Sequence, residues 1–471
     1  MIFSGRETLK LCRTTALFYC ILLLFLSTVL TSCQDTKSTN LTTAEVETVK
    51  LHPLSFWVAT DTHFLDKNLQ DGSQAFQNYV TSGDGKMLPY SEEIAETFIY
   101  DIEQKKPDFI ILSGDLTNNG ELSSHQRLAE KLKRIEELGT SVYVIPGNHD
   151  INNPWARSFS GDKQLLTDSI TDKEFIQMYE DFGYKEAVSR DKESLSYIVK
   201  AAPNLWILMI DSSQYHNNQK YGFPQTDGRI AASTLSWIDK AVKLAANEHA
   251  SVITVMHHNL LSHTSMSVSG FKLNNSQEVI KSFRKNGLNL VLSGHIHMQD
   301  IRVDPADDNL QTNSTNQTPI YDIATSAMAV NPHQYGAMSF DPLTRTVNYQ
   351  TASLNVEEWA QAKGITDQNL IHFKAFAENA FATDSYNKAM DSLKKSTYTE
   401  AEKASMAEAM AKLNVGYFAG LAGDLSEEIR ELPGFKLWEE MQEGFLPEYI
   451  QSMAEDKGLS NVSLEVVLTK Q

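Results

Sequence analysis

The chain is predicted to fold as an α/β layered domain followed by an all-helical unit, and two observations carry that expectation. Between Leu54 and about Gln350, short apolar runs alternate with amphipathic stretches, the pattern of buried strands with helices packed over them. After about Asn355 the composition turns to Ala, Glu, Met and Lys with almost no β-branched runs. The 471 residues, 41% hydrophobic, are enough for more than one such unit and exclude collagen-like, coiled-coil and wholly disordered classes.

The first segment has a different character. Arg6, Lys10 and Arg13 precede an apolar run from about Ala16 to Val29, which ends in Leu30-Thr31-Ser32-Cys33 before the chain turns polar. The pattern resembles a bacterial lipoprotein signal, which implies cleavage of residues 1–32, a lipid on Cys33 and an exported protein. The competing expectation is one membrane-anchor helix, since the run is near the lower limit of a spanning length. Residues 33–50 read as a flexible tether, rich in Thr, Ser, Asp and Gln. Cys12, Cys20 and Cys33 are the only cysteines, so the folded body has neither a disulfide framework nor a Cys-based zinc site.

The predicted strands are Leu54–Thr60, Phe109–Ser113, Ser141–Pro146, Leu205–Asp211, Ser251–Met256 and Leu288–Ser293. Helical patterns fall between several of them, at Glu92–Lys105, Ser123–Leu138, Ala231–Ala246 and Ser276–Lys285. Runs near Ile301–Val303, Ile320–Ala324, Ala337–Phe340 and Thr346–Thr351 read as antiparallel strands closing the sheet system. In the helical unit, Phe373-Phe376-Ala380 and Met406-Met410-Leu413 have helical spacing and read as core.

Ligands of α/β sheets bind beyond the carboxyl ends of the strands. Five of the six predicted strands run into metal-competent residues there: Asp61-Thr62-His63, Gly114-Asp115, Gly147-Asn148-His149-Asp150, His257-His258 and Gly294-His295-Ile296-His297. Singly, several of these are weak signals. Together, in one chain and all at strand ends, they mark a site. Carboxylates, imidazoles and one carboxamide without thiolate suit Mn, Fe or Zn. The donors are too many for one catalytic ion with an open position, and divide well between two ions sharing Asp115.

The series Asp61-x-His63, Gly114-Asp115, Gly147-Asn148-His149-Asp150, His257 and Gly294-His295-x-His297 resembles the calcineurin-like metallophosphoesterase superfamily. Within it, an exported α/β domain with a helical appendage looks like the bacterial class III cyclic-nucleotide phosphodiesterases. The resemblance implies a four-layer α-β-β-α sandwich at residues 51–354, with the C-terminal helical domain at 355–471. It implies Asp61, His63 and His297 on one metal, Asn148, His257 and His295 on a second, and Asp115 between them. His149 would then lie over the substrate, and His149, Asn118 and Asp150 form the candidate catalytic set. Asn118 stands where related phosphatases have an aspartate that orients this histidine. A carboxamide can still orient the ring, but cannot stabilise imidazolium with a full charge.

Substrate contacts are expected from His258, Trp155, Arg157 and Tyr215, with the long segment Phe64–Pro89 as a cleft wall. The formal net charge of −19 argues against binding nucleic-acid polymers or anionic lipid surfaces. The expected activity is hydrolysis of a small phosphodiester, such as a cyclic nucleotide, by a metal-activated water. A phosphomonoesterase or nucleotidase on the same site is the runner-up, and a non-catalytic surface-binding lipoprotein is the alternative from another class.

Overall fold

The computed structural model describes residues 52–264, 266, 269–305, 318–441, 444–454 and 460–470. The expected signal segment and tether, residues 1–50, lie outside these. In chain order the strands are β1 (Leu54–Ala59), β2 (Phe109–Leu112), β3 (Ser141–Val144), β4 (Arg157–Ser160), β5 (Lys163–Leu166), β6 (Ser189–Arg190), β7 (Tyr197–Ala202) and β8 (Leu205–Ile210). They continue as β9 (Ser251–Met256), β10 (Leu290–Ser293), β11 (Asp300–Asp304), β12 (Ile320–Ala324), β13 (Gln334–Asp341), β14 (Thr346–Ser353) and β15 (Ser463–Val467). One sheet has the order β15-β14-β13-β1-β2-β3, the other β11-β12-β10-β9-β8-β7-β6, and β4-β5 is a separate hairpin.

Each sheet has a parallel block, at one end of the first and in the middle of the second. In the first, β2 pairs parallel with both β1 and β3, with Trp57 opposite Ile110 and Ile110 opposite Val142. In the second, β8, β9, β10 and β12 run parallel. Their sequences explain why: FIIL, LWILMI and SVITVM are buried along their whole length, as strands covered on both faces must be. Alternation along β8 shows the layering. Ile207 and Met209 join the core that contains Phe56, Ile110 and Val144 of the first sheet, whereas Trp206, Leu208 and Ile210 face the other way.

Helices α1 (Ser91–Lys105) and α2 (Leu122–Glu137) bury Ile94, Phe98, Ile102, Leu128, Leu132 and Ile135 in the first core. Helices α3 (Ala232–Asn247) and α4 (Ser276–Lys285) bury Leu235, Ile238, Val242, Val279 and Phe283 on the far face of the second sheet. The two sheets therefore face each other with helices outside them. Beyond residue 355 the chain is helical to Ala454, dominated by α5 (Phe373–Leu393) and α6 (Glu400–Phe418). The Met stripe of α6 is core, as its spacing predicts: Met406, Met410 and Leu413 pack with Trp438 and against Ile296, Met298 and Ala324 of the α/β body.

One expectation needs correcting. The segment from 355 to 471 is not helical throughout, because β15 returns to the first sheet as its edge, antiparallel to β14 with Val466 opposite Val347. Its alternation, Val466 buried and Val467 exposed, is too short to stand out in a helix-rich segment. Within the 64–89 segment, expected to be a loop, Gln74–Thr81 is helical.

Candidate metal centre

Because β1, β2, β3, β9 and β10 end side by side, their C-terminal residues converge. Asp61, His63, Asp115, His295 and His297 all have positive φ, between 39° and 72°. Such a conformation costs a non-glycine residue roughly 1–2 kcal/mol, and five cases at strand ends mark a functional constraint. Glycine lets the chains approach: a Cβ on Gly114 would meet His257 Nδ1 at 2.6 Å and the Cα of Gly147 at 2.9 Å.

Two groups of side chains result. In the first, Asp61, His63 and His297 offer donor atoms all within 4.8 Å of one another. His63 Nε2 and His297 Nε2 are 3.0 Å apart, and His297 Nε2 is 3.3 Å from Asp61 Oδ1. Asp61 Oδ2 accepts hydrogen bonds from Thr60 Oγ1 (2.7 Å) and His295 N (2.9 Å), whereas the buried Oδ1 has no hydrogen-bond partner among the described residues. A buried orphan carboxylate oxygen facing two imidazole nitrogens is costly unless a cation completes it.

In the second group, Asp115, His257 and His295 come together in the same way. His257 Nε2 is 3.3 Å from Asp115 Oδ2 and 3.1 Å from Asn148 Oδ1. Asp115 Oδ2 also lies 3.8 Å from His63 Nε2 in the first group, so this one oxygen sits between the two. The surroundings set the tautomers. His257 Nδ1–H donates to Ser113 O (3.0 Å) and His295 Nε2–H to Gly270 O (2.8 Å), which leaves His257 Nε2 and His295 Nδ1 as the nitrogens available to a metal once deprotonated. All seven residues expected to hold metals are therefore gathered, and the donor set fits two divalent ions.

Electrostatics separate the imidazoles. Burial pulls His257 down, but Asp115 and Asp61 outweigh it and lift its pKa to about 9. Burial and the neighbouring His257 push His295 to about 4. Burial likewise holds His149 below the ordinary imidazole value.

The candidate catalytic set divides. His149 lies at the centre, its Nε2 4.0 Å from Asp115 Oδ2, and its Nδ1–H is donated to Asn118 O (2.8 Å) and Asn119 Oδ1 (3.0 Å). The carboxamide of Asn118 does not orient it. That side chain donates instead to Tyr79 OH at 3.0 Å. Orientation falls to the Asn118 main chain and to Asn119, a residue overlooked in the Asn118-Asn119 tandem because the resemblance marks only the first position.

Asp150 is also not catalytic in placement. Its carboxylate accepts from Gly147 N, Leu116 N and Thr117 N at 2.8–3.0 Å and from Thr117 Oγ1, tying the loop after β3 to the loop after β2. Burial and the charge of Asp115 raise its pKa.

Of the expected substrate contacts, His258 packs against the rings of His257 and His295, but its own nitrogens are turned away. Both ring nitrogens of His258 are engaged, with Ser212 Oγ (2.8 Å) and Thr226 O (3.1 Å), and Gly228 packs on its ring. Tyr215 is buried with its hydroxyl on Asp211. Arg157 turns back to the carbonyls of Pro154 and Ala156. Trp155 is 44% exposed, on the loop before β4. In their place, the 64–89 segment brings Asp84 and Lys86 to the rim, with Asp84 Oδ2 3.5 Å from His297 Nδ1.

Gly147 offers a sharp test of this packing. A Cβ there would fall on the main-chain nitrogen and carboxylate of Asp115. Gly147→Ala is expected to cost about 1–3 kcal/mol, the range for overpacking, and to weaken metal uptake. Chemical denaturation and metal titration check it; a variant equal to wild type in both would disprove the close approach.

Residues 54–299, more than half of the chain, match the calcineurin-like phosphoesterase family, and residues 355–459 match the C-terminal domain of cyclic nucleotide phosphodiesterase. A protein of Synechococcus sp. named probable cyclic nucleotide phosphodiesterase is 26% identical over 206 residues, covering 43% of this chain and 62% of that protein. One of the same name from Xenorhabdus bovienii is 23% identical over 190 residues, covering 40% and 61%. The matched stretch thus spans about three fifths of each relative. A dimetal phosphatase from Danio rerio superposes at 12% identity, over 63% of this chain and 95% of that one, with a TM-score of 0.43. With the two metal-competent groups, their shared Asp115 and a family match across residues 54–299, the chain belongs to the calcineurin-like phosphoesterase family.

Proposed function

We propose that the protein is a metal-dependent hydrolase of small phosphodiesters, cyclic nucleotides foremost, working outside the cytoplasm on a lipid carried by Cys33. The observation that carries the chemistry is the placement of Asp115 Oδ2 between the two groups, 3.3 Å from His257 Nε2 and 3.8 Å from His63 Nε2. Asp61, His63 and His297 would hold one divalent ion and Asn148, His257 and His295 a second, and such ions would supply Lewis acidity and lower the pKa of water.

The chain's own residues do the rest. Asp61 and Asp115 balance the positive charge and keep the donor geometry rigid. His149, with its Nδ1–H held by Asn118 O and Asn119 Oδ1, can exchange a proton only at Nε2, the nitrogen facing the centre. Protonated there, it binds a phosphoryl oxygen or gives its proton to the departing ester oxygen. The Asn119 carboxamide, like the Asn118 carbonyl, supplies no full negative charge, so His149 acts as an electrostatic stabiliser as much as an acid. The diester reading is supported by the names of the relatives and by the match at residues 355–459.

The test is a substrate panel on the Mn-loaded full chain in mild detergent. Cyclic nucleotides and bis-aryl phosphodiesters are expected to turn over faster than monoesters. Faster monoesters would replace the diesterase by a phosphomonoesterase. Mass spectrometry of the N-terminus from a bacterial host is expected to find an acylated Cys33, and an unprocessed chain would refute the anchoring.

A further inference from the structure

The segment that carries Lys86 is held from two sides. On the α/β side, Met87 N donates to Ala329 O (2.8 Å) and Ala329 N to Asp61 O (3.2 Å), so residues 86–87 are separated from the metal-competent Asp61 by the single intervening segment 329–330. On the helical side, α5 reaches over. Lys388 Nζ donates to Gly83 O at 2.8 Å. Phe381, clustered with Ala327 and Val330, packs so closely on Gly85 that a Cβ there would meet its ring at 2.8 Å. Gly85 has φ +85°, so this position favours glycine on conformational grounds as well.

Seated this way, Lys86 reaches the edge of the centre: Asp84 Oδ2 lies 3.5 Å from Lys86 Nζ and 3.5 Å from His297 Nδ1. The lysine side chain is only 11% exposed, and Nζ makes no hydrogen bond among the described residues. Its one ion-pair partner there is the half-exposed Asp84, at 3.5 Å, beyond good hydrogen-bond distance. The lysine charge is felt across the site. It is among the influences that push His63 and His149 down, and Asp115 and Asp61 are among those that hold Lys86 itself up against burial. A largely buried ammonium with no hydrogen bond among the described residues, one carboxylate removed from the metal-competent His297, is built for an anion. A lysine serving only to neutralise Asp84 would close that contact.

We propose that Lys86 is a phosphate anchor, its ammonium binding a non-bridging oxygen of the phosphoryl group, and that the C-terminal helical unit holds it there through Phe381 and Lys388. The assignment rests on the phosphoesterase reading for its role in turnover, though not for the binding itself. It also gives the helical unit a task that neither its composition nor its helical pattern discloses: completing the cleft from outside the metal-holding domain.

The experiment uses the Mn-loaded full chain and inorganic phosphate as probe, with affinity measured by calorimetry beside KM and kcat on a bis-aryl phosphodiester. Lys86→Met is expected to weaken phosphate binding roughly tenfold, the loss of one charge-assisted hydrogen bond. KM should rise in step, with kcat changed less and Mn stoichiometry unaltered. Lys86→Arg should recover most of the phosphate affinity. Phosphate binding within twofold of wild type in Lys86→Met, or a loss accompanied by loss of Mn, overturns the anchor.

Lys388→Ala, at an exposed position, and Phe381→Ala are expected to shift phosphate affinity in the same direction by a smaller factor. If both leave it unchanged while Lys86→Met does not, the role given to the helical unit is wrong. Wild-type protein that binds phosphate through Lys86 yet hydrolyses no phosphoester would overturn the proposed function alone.

Discussion

Asp115→Asn is expected to reduce phosphodiester hydrolysis by a factor of roughly 10³ or more, equivalent to about 4 kcal/mol in the barrier. It should also lower bound metal from two ions to one or fewer. The reason is geometric. Other proposed ligands each serve one group, whereas Asp115 Oδ2 lies within 3.8 Å of an imidazole nitrogen in both. The asparagine keeps an oxygen to accept from His149 N, a bond now 2.8 Å long, so the loop after β3 keeps its anchor. What is lost is the charge, and the loss reaches His257. Against burial, Asp115 is the strongest influence holding its pKa up at about 9, so at neutral pH metal uptake must displace a proton from Nε2. Wild-type metal affinity should therefore climb with pH towards that value, and the climb should flatten in Asp115→Asn. Metal analysis, calorimetry across pH and kinetics on folded variant check this together. Undiminished turnover with two ions still bound would remove Asp115 from the centre.

What could be read in the sequence, and what could not, divides along a physical line. The strand ends announced themselves because glycine and the donor residues occur together locally: Gly114-Asp115, Gly147-Asn148-His149 and Gly294-His295-x-His297 are legible wherever they stand. Buried parallel strands such as Ser251–Met256 are equally local, being apolar without alternation. Side-chain direction is not local. Asp150 sits beside His149 in sequence, yet its carboxylate turns to amides of residues 116 and 117, over thirty positions away, and becomes a clamp. His258 follows His257 but is captured by Ser212 and Thr226. Lys86 belongs to no motif, and its place comes from long-range contacts, the pairing of residues 86–87 with 329–330 and the docking of α5 on Gly83 and Gly85. Residue type and spacing therefore point to the side chains that the structure gathers into two groups. The residues around them depend on long-range contacts and had to be seen.

A second, unrelated effect of comparable size is expected from Asp322→Asn, behind the centre. Asp322 is fully buried, and its Oδ2 accepts from Leu260 N (2.7 Å) and Leu261 N (2.8 Å), just beyond His257 and His258. Its Oδ1 accepts from Ser293 Oγ (2.8 Å), just before Gly294 and His295. His263 lies between two carboxylates, with Nδ1 2.7 Å from Asp300 Oδ2 and Nε2 in a 3.1 Å ion contact with Asp322. Arg302, about a third exposed, adds a second cation, with Nε 2.7 Å from Asp300 Oδ2. Burial lowers the pKa of His263, but Asp322 and Asp300 outweigh it and raise it to about 9. Neutralising Asp322 leaves the imidazolium short of a partner, and breaking a buried pair in this way costs about 3–5 kcal/mol. The pH dependence fixes the cause. A raised pKa in the folded state means that the stabilisation is complete below about pH 6.5, the unfolded value, and is lost as pH rises through about 9. Over that window the wild type should lose roughly 3 kcal/mol from this group, since each pH interval of one between the two values is worth about 1.4 kcal/mol. The variant should lose much less, so the two stability curves converge at alkaline pH. Denaturant midpoints measured between pH 6 and pH 9.5 decide it, and parallel curves would mean that His263 is neutral in the native protein and that the network is held by hydrogen bonds alone.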